Sequence, residues 1–353
     1  MNKGGGLPKT MRAALLTAPR LFEVQNVPVP QIGPDDVLIR VERCGICGTD
    51  VHMFNGHYAL DRLPIIPGHE FSGTIAAAGT NVGRFQSGQR VIADINIGCG
   101  HCFYCRRNEI LNCSEMQQIG ISRDGGFTEY VAVPARLVIP VEDNHSFELL
   151  ALVEPVACVV RAARKANIRF GQSVVILGAG PIGNLHIQMM RLVGAAPIIA
   201  AEPSARRGAM AMDAGADVVV SEPGQLKSEV LKYTGGRGAD IVIESVGLPK
   251  LYTLAFELIR PGGHVAAFGI SGPDDTIPLQ LLRTVLRENS VKGSVAGMGE
   301  DMHDALTLLT HGRFKTDAFT SRSARLQDIQ TTFETLPDHP EALKVQISMD
   351  GAA

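Results

Sequence analysis

Two sets of residues in this chain have types and spacings suited to holding metal ions. Cys99, Cys102, Cys105 and Cys113 form a C-x2-C-x2-C-x7-C run. The short spacings let backbone turns aim several sulfurs at one point, and four thiolates fill the tetrahedral shell of zinc. Such a site is closed, so it can brace a fold but cannot admit a substrate. Chemistry needs a second set. In CGICGTDVH, residues 44–52, a thiolate from Cys44 or Cys47 is followed by Thr49, Asp50 and His52. In IPGHEFSG, residues 66–73, His69 and Glu70 are adjacent nitrogen and oxygen donors. Sulfur, nitrogen and carboxylate around one ion with an open position suit a catalytic zinc. A redox pair is the competing reading of Cys44 and Cys47. Redox pairs, however, open a helix in a thioredoxin-like βαβ unit, and this pair follows a β-like stretch. Glu154 is a further acid of interest, because it lies in the apolar run LLALVEPVACVVRA, residues 149–162. A carboxylate buried there needs a partner, a proton or a metal. A helix-start Glu before a proline accounts for it without one.

The first half of the chain must position these donors with β structure. From Met11 to about Arg43, short β-like runs alternate with Pro/Gly turns: ALL at 14–16, Pro28 and Pro30, then VLIRVE at 37–42. Turn-then-strand patterns recur at 83–94 and 124–134. An antiparallel, partly closed β domain follows from this. The second half changes period. SVVIL, residues 173–177, reads as a buried strand that runs into GAGPIG, 178–183, and then an apolar helix. This is the strand–turn–helix setting that gives G-x-G-x-x-G its meaning. Gly178 permits the turn, Gly180 lets backbone approach a pyrophosphate, and Gly183 lets helix and strand pack. A second strand ends at Glu202, nineteen residues after Gly183. An acid there accepts both ribose hydroxyls and repels a 2′-phosphate, so NAD is expected over NADP, with Arg206 and Arg207 keeping NADP open. Further strands at 216–220, 239–247, 261–269 and 290–295 alternate with helical stretches, which means a doubly wound parallel sheet. Ligands bind at the carboxyl ends of such strands. The cofactor-binding candidates are Gly178, Gly180, Pro181, Ile182, Gly183, Glu202, Arg207, Val246, Gly247, Phe268 and Gly269.

At 353 residues the chain is expected to divide into two domains. A net charge of −3 gives no electrostatic case for nucleic acid or a membrane surface, and no apolar run is long enough to span a bilayer. Seven cysteines, four in one metal-like cluster, imply reduced sulfur and a cytoplasmic setting. MNKGGGLPKT has no signal-peptide character and reads as a flexible tail over residues 1–10.

Taken together, CGICGTDVH, PGHE, the four-cysteine loop, GGFTEY, VEP and GAGPIG resemble, in this order, the zinc-dependent medium-chain alcohol dehydrogenases, most nearly the sorbitol (polyol) and threonine dehydrogenase branches. The resemblance covers nearly the whole chain after Met11. It implies an α/β protein with a GroES-like β-rich catalytic domain (11–156 and 296–353, with a structural zinc lobe at 96–114) and a Rossmann NAD-binding domain (157–295), the active site lying in the cleft between them. It also implies zinc ligation by Cys47 rather than Cys44, by His69, and by Glu70 or Glu154 in exchange. In it, Asp50 orients His69, Thr49 and His52 relay a proton, and Cys99, Cys102, Cys105 and Cys113 hold the structural zinc. The expected reaction takes hydride from a secondary alcohol, a polyol or sugar alcohol first, to NAD, giving a ketone. A threonine-type 3-dehydrogenase or a simple secondary-alcohol dehydrogenase is the alternative. The expected partners are a small alcohol and copies of the chain itself, as a homotetramer or a dimer. Two positions depart from the sorbitol branch: Met53 replaces a tyrosine, and Ala296–Gly297 stand in place of an Arg-Tyr pair. Readings outside this class are a silent binding protein on the same fold and a zinc-free quinone reductase using NADPH. Cys47, His69, Glu70 and Glu154 argue against both, and Glu202 against the second.

Overall fold

VLIRVE lies within the strand Asp36–Gly45, where every residue but Asp36, Arg40 and Arg43 is buried. This strand organises the first half of the chain. In a computed structural model that describes residues 7–142, 144–339 and 342–349, it pairs antiparallel with Glu70–Ala78 along most of its length. Its other edge is shared: Tyr130–Pro134 pairs with its first half and Gln346–Ser348 with its end. The full seven-stranded sheet continues through Arg90–Ala93 to Val138–Pro140 on one side and to Ser323–Arg325 on the other. A separate hairpin, Thr10–Ala18 with Leu21–Pro28, precedes it. The tail expected over residues 1–10 lies outside the described residues as far as residue 6.

Contacts divide the chain into two units. The first comprises residues 1–154, 298–306 and 316–353, and the second residues 155–297 and 307–315. The sequence reading gave everything from 296 onward to the first.

In the first unit, helix Gly48–Phe54 turns Met53 and Phe54 into the core. Phe54 stacks on Phe22 with ring centroids 5.7 Å apart and meets Phe333 at 5.2 Å. Burying a phenylalanine side chain contributes about 1.5–3 kcal/mol, which fixes a seven-residue helix too short to persist alone. Met53, at the position where the resemblance expects a tyrosine, is spent on this packing. The apolar run 149–162 is not one helix. Phe147–Leu150, capped by Ser146, ends, and a new helix starts at Val153. Pro155 has no N–H to bond the carbonyl of Ala151, so the first helix cannot continue through it. Glu154 therefore sits in a first helical turn.

The second unit is a parallel six-stranded sheet in the order Val218–Val220, Ile198–Ala201, Val174–Leu177, Ala239–Glu244, Ile259–Ala267, Ser290–Gly293. Strand order reverses between Val174–Leu177 and Ala239–Glu244, the switch point at which doubly wound sheets bind ligands. The central strand Val174–Leu177 is buried throughout, because helices cover both faces. The last strand, Ser290–Gly293, is exposed along its whole length.

Helix Pro181–Leu192 carries an unexpected group. His186 is fully buried, neither ring nitrogen has a hydrogen-bond partner, and its ring meets Phe268 edge-on at 4.7 Å. Burial pushes its pKa down to about 3. The folded chain therefore keeps His186 neutral where the unfolded chain protonates it, and stability falls as pH drops from about 6.5 toward 3. The slope is up to about 1.4 kcal/mol per pH unit. His186→Leu is expected to reduce the stability lost between pH 7 and pH 5 by about 2 kcal/mol in urea unfolding. An unchanged loss would show that His186 is protonated in the fold.

Candidate active site

The short helix Gly48–Phe54 and the start of strand Glu70–Ala78 bring the predicted donors of the first unit together. Cys47 caps the helix, and its backbone N–H donates to Asp50 Oδ2 at 2.8 Å. Asp50, fully buried, also accepts from the Gly68 N–H at 3.3 Å, so one carboxylate ties the cysteine loop to the His69 loop. Cys47 Sγ, one His69 ring nitrogen and one Glu70 carboxylate oxygen all lie within 4.8 Å of one another. Cys44 is not in this group. It is buried between Gly68 and Gly126, and burial, then Asp50 and Glu70, hold its thiol well above the usual cysteine range. Glu154 also falls outside the donor group, although its charge reaches Lys344.

These donors fit a zinc ion. His69 is 4% exposed, and its Nδ1 faces Asp50 Oδ1 at 3.4 Å without making a hydrogen bond. Burial alone would lower its proton affinity. Asp50 and Cys47 outweigh that and raise it well above the usual histidine range. A field that attracts a proton to that point attracts a cation equally, and a sulfur–nitrogen–oxygen set is what zinc takes when one position stays open. Thr49 lies 3.9 Å from the Cys47 sulfur, and His52 is one helical turn further on. Burial, then the neighbouring His57, lower the His52 pKa, so His52 is neutral at neutral pH and able to accept a proton.

One residue beside these donors was not predicted. Lys344 Nζ bonds both Glu70 oxygens, at 2.7 and 2.5 Å, and the Ile46 carbonyl at 3.2 Å. The two side chains are 4% and 1% exposed. The pairing of Gln346–Ser348 with the end of Asp36–Gly45 carries Lys344 there from the far end of the chain. Burial would lower its pKa, but Glu70, Cys47 and Glu154 raise it, so the site contains a buried ammonium as well as its donors. The sequence signal was a lone lysine in the apolar strand-like LKVQISM.

The four-cysteine loop brings all four sulfurs within 4.8 Å of each other. Cys99 and Cys105 sulfurs are 3.9 Å apart, and the Cys105 N–H donates to Cys102 Sγ at 3.4 Å. A hydrogen bond from Gly100 lowers the Cys105 pKa, but desolvation and the other three sulfurs push it up to about 12. Four thiolates cannot share this space without a cation between them, which is the tetrathiolate zinc geometry. No disulfide joins any of the seven cysteines.

In the second unit the predicted cofactor residues gather at the carboxyl ends of the strands. Gly178 adopts φ +90°, and a Cβ there would collide with Val246. A Cβ on Gly183 would strike the Gly178 carbonyl, while the space above Gly180 is open. Gly180 caps helix Pro181–Leu192, with Pro181 at its first position. Glu202 is 7% exposed; it accepts from the Ala179 N–H at 2.9 Å and the Ser204 N–H at 3.0 Å. Glu202 is thus hydrogen-bonded to the GAGPIG turn. Arg207 is held through its backbone N–H to Ser204, at the start of helix Ala205–Ala214. A second carboxylate, Glu244, was not predicted. It is fully buried and accepts from Val246 and Gly247 N–H groups at 2.9–3.1 Å, which fixes that strand-end turn. Gly269 N–H donates to the Glu244 carbonyl at 2.9 Å, and Phe268 backs onto His186. Gly297 has no room for a side chain, because a Cβ would meet Ala157.

Comparison with known proteins decides the family. Residues 33–143 match the model of the alcohol dehydrogenase GroES-like domain, and residues 181–311 that of the zinc-binding dehydrogenases. The sorbitol dehydrogenase of Bacillus subtilis is 30% identical over 97% of this chain and 98% of its own length. The chain belongs to the zinc-dependent medium-chain alcohol dehydrogenases. Within this family, the L-threonine 3-dehydrogenase of Caldanaerobacter subterraneus subsp. tengcongensis is 35% identical over 73% of this chain and 75% of its own. A zinc-binding dehydrogenase of Sinorhizobium meliloti solved with NADP is 31% identical and superposes with a TM-score of 0.87 over 97% of this chain and all of that one. A medium-chain dehydrogenase of this kind is an oxidoreductase that uses zinc and a nicotinamide cofactor. No helix among the described residues is long and apolar enough to cross a membrane.

Proposed function

We propose that this enzyme oxidises a secondary alcohol to a ketone with NAD, using a catalytic zinc held by Cys47, His69 and a carboxylate. The observation that carries the reading is the tight group of Cys47, His69 and Glu70 donors. Glu70 is the carboxylate in that group and Glu154 the one that can replace it. Bound there, zinc supplies the Lewis acidity that lowers an alcohol's pKa toward neutrality. The chain does the rest. Thr49 Oγ1 accepts the hydroxyl proton as it releases its own toward His52, which, held neutral, takes that proton and passes it to solvent. Asp50 fixes the His69 ring. The N-terminus of helix Pro181–Leu192 holds the cofactor pyrophosphate, and Glu202 holds the adenosine ribose hydroxyls. The turns at Val246–Gly247 and Phe268–Gly269 border the ring that takes the hydride.

NAD is preferred because the Glu202 carboxylate would repel a 2′-phosphate. The structural relative bound to NADP makes this the point to test. Glu202→Arg is expected to shift the NAD/NADP ratio of kcat/KM toward NADP by at least about tenfold. An unchanged ratio removes Glu202 from the ribose site.

Polyols lead the substrate classes, on the likeness to sorbitol and D-arabinitol dehydrogenases. A β-hydroxy amino acid is the second reading. It is favoured by the buried Met53 and by the closed space at Gly297, which remove side chains that would hold polyol hydroxyls. Cofactor reduction across polyols, β-hydroxy amino acids and simple secondary alcohols separates them. Turnover of none would sink the enzyme reading.

We also propose that copies of the chain pair through the exposed edge strand Ser290–Gly293. The neighbouring helix Leu281–Leu286 leaves Leu281, Leu282, Val285 and Leu286 between 71% and 75% exposed, a surface that a second copy would cover. The expected tetramer is then a pair of such dimers. Leu282→Asp with Val285→Asp is expected to halve the mass in light scattering. An unchanged mass places the interface elsewhere. Thiolate ligands suit a reducing compartment, the cytoplasm.

A further inference from the structure

At the amino-terminal edge of the parallel sheet lies a cleft that alcohol oxidation does not use. It encloses about 850 Å3 and is rimmed by Lys227, Arg237, Arg260, Arg283 and Arg287, with Glu257 as its one carboxylate. The cofactor-binding turns sit at the opposite ends of the same strands, about 20 Å away along Ala239–Glu244. Two of the five cations are already matched. Lys227 Nζ is 3.6 Å from Glu257, and Arg260 is 2.6 Å from Asp240. Among the described residues, Arg237, Arg283 and Arg287 have no carboxylate partner and no side-chain hydrogen bond. Arg283 and Arg287 are spaced i, i+4 at the end of helix Leu281–Leu286, an arrangement that costs stability when both are charged and nothing lies between them. Between the cations the lining is largely apolar: Leu231 and Pro261 are exposed to solvent there, and Val230, Leu258 and Ile259 complete it almost fully buried.

Unmatched guanidinium groups beside an apolar lining define the chemistry that fits. Guanidinium forks engage phosphate oxygens in pairs, and charge-assisted bonds of that kind are the strong ones. The apolar lining between them accommodates the organic part of the same molecule. We propose that this cleft binds a phosphate ester, separately from the nicotinamide cofactor.

The test is titration calorimetry of phenyl phosphate into the intact protein with its cofactor present at saturation, so that the pyrophosphate loop at Gly180 is filled. The expected result is saturable binding, tighter than that of inorganic phosphate and weakened by added sodium chloride. Arg237→Gln and Arg287→Gln are each expected to weaken it by about tenfold. Arg237 lies in an exposed glycine-rich turn, so its replacement leaves the core intact, and alcohol oxidation without phosphate should be unchanged in both variants. No saturable binding, or equal binding by parent and variants, overturns the site. Equal affinity for phosphate and phenyl phosphate overturns the ester. Variants that change the oligomeric mass while phosphate binding stays constant would assign the arginines to assembly instead, and overturn the proposal.

Discussion

Cys47→Ala is expected to lower kcat/KM for alcohol oxidation by at least about 10^3-fold, because a Lewis acid contributes several kcal/mol to such a transition state. Cofactor affinity should stay within about twofold, since the pyrophosphate loop and Glu202 belong to the second unit. Cys44→Ala provides the contrast. Cys44 is fully buried and outside the donor group, so its loss should cost stability of about 1 kcal/mol and leave kcat nearly intact. Steady-state kinetics with cofactor titration of both variants reads this directly. Equal losses from the two would mean that the pair acts as a unit, as a redox pair does.

Lys344→Met should be the most damaging change for stability. It leaves the Glu70 carboxylate buried at 1% exposure with no ammonium beside it. Removing one partner of a buried ion pair costs about 3–5 kcal/mol, whereas removing both is often close to neutral. The zinc-free variant should therefore unfold at much lower denaturant, and Lys344→Met with Glu70→Gln should recover most of the loss. Zinc should protect the single variant more than the parent, because the ion supplies the missing positive charge. If the double variant is as unstable as the single one, Lys344 acts through packing and not through Glu70.

These two residues also mark what the sequence reveals. A thiolate from Cys44 or Cys47, with His69 and Glu70, is legible because two short motifs place them within about twenty-five residues, whereas the choice of Cys47 comes only from the family resemblance. The cofactor fold is legible for a similar reason. GAGPIG follows a buried strand, and Glu202 ends the next one, so local order carries the geometry. Lys344 reaches the site through antiparallel pairing of the last strand with Asp36–Gly45, and periodicity contains no register across such a separation. His186 is hidden for another reason. Its helix reads as apolar with interspersed polar residues, and nothing local says that this turn faces Phe268 and not water. Glu154 is legible as a helix-start acid because Pro155 follows it, and it lies in the first turn of helix Val153–Ala166.

The central claim is that a zinc at Cys47, His69 and a carboxylate makes the alcohol reactive. Its most direct test is cofactor reduction with the best alcohol of the panel, measured on the zinc-loaded protein, after chelation, and after zinc is returned. The account predicts about two zinc ions per chain in the loaded protein, activity that disappears as the more labile one is removed, and activity that returns with zinc while the tetrathiolate ion stays in place. Full turnover after the catalytic zinc has been stripped, with only the tetrathiolate zinc left, would contradict it.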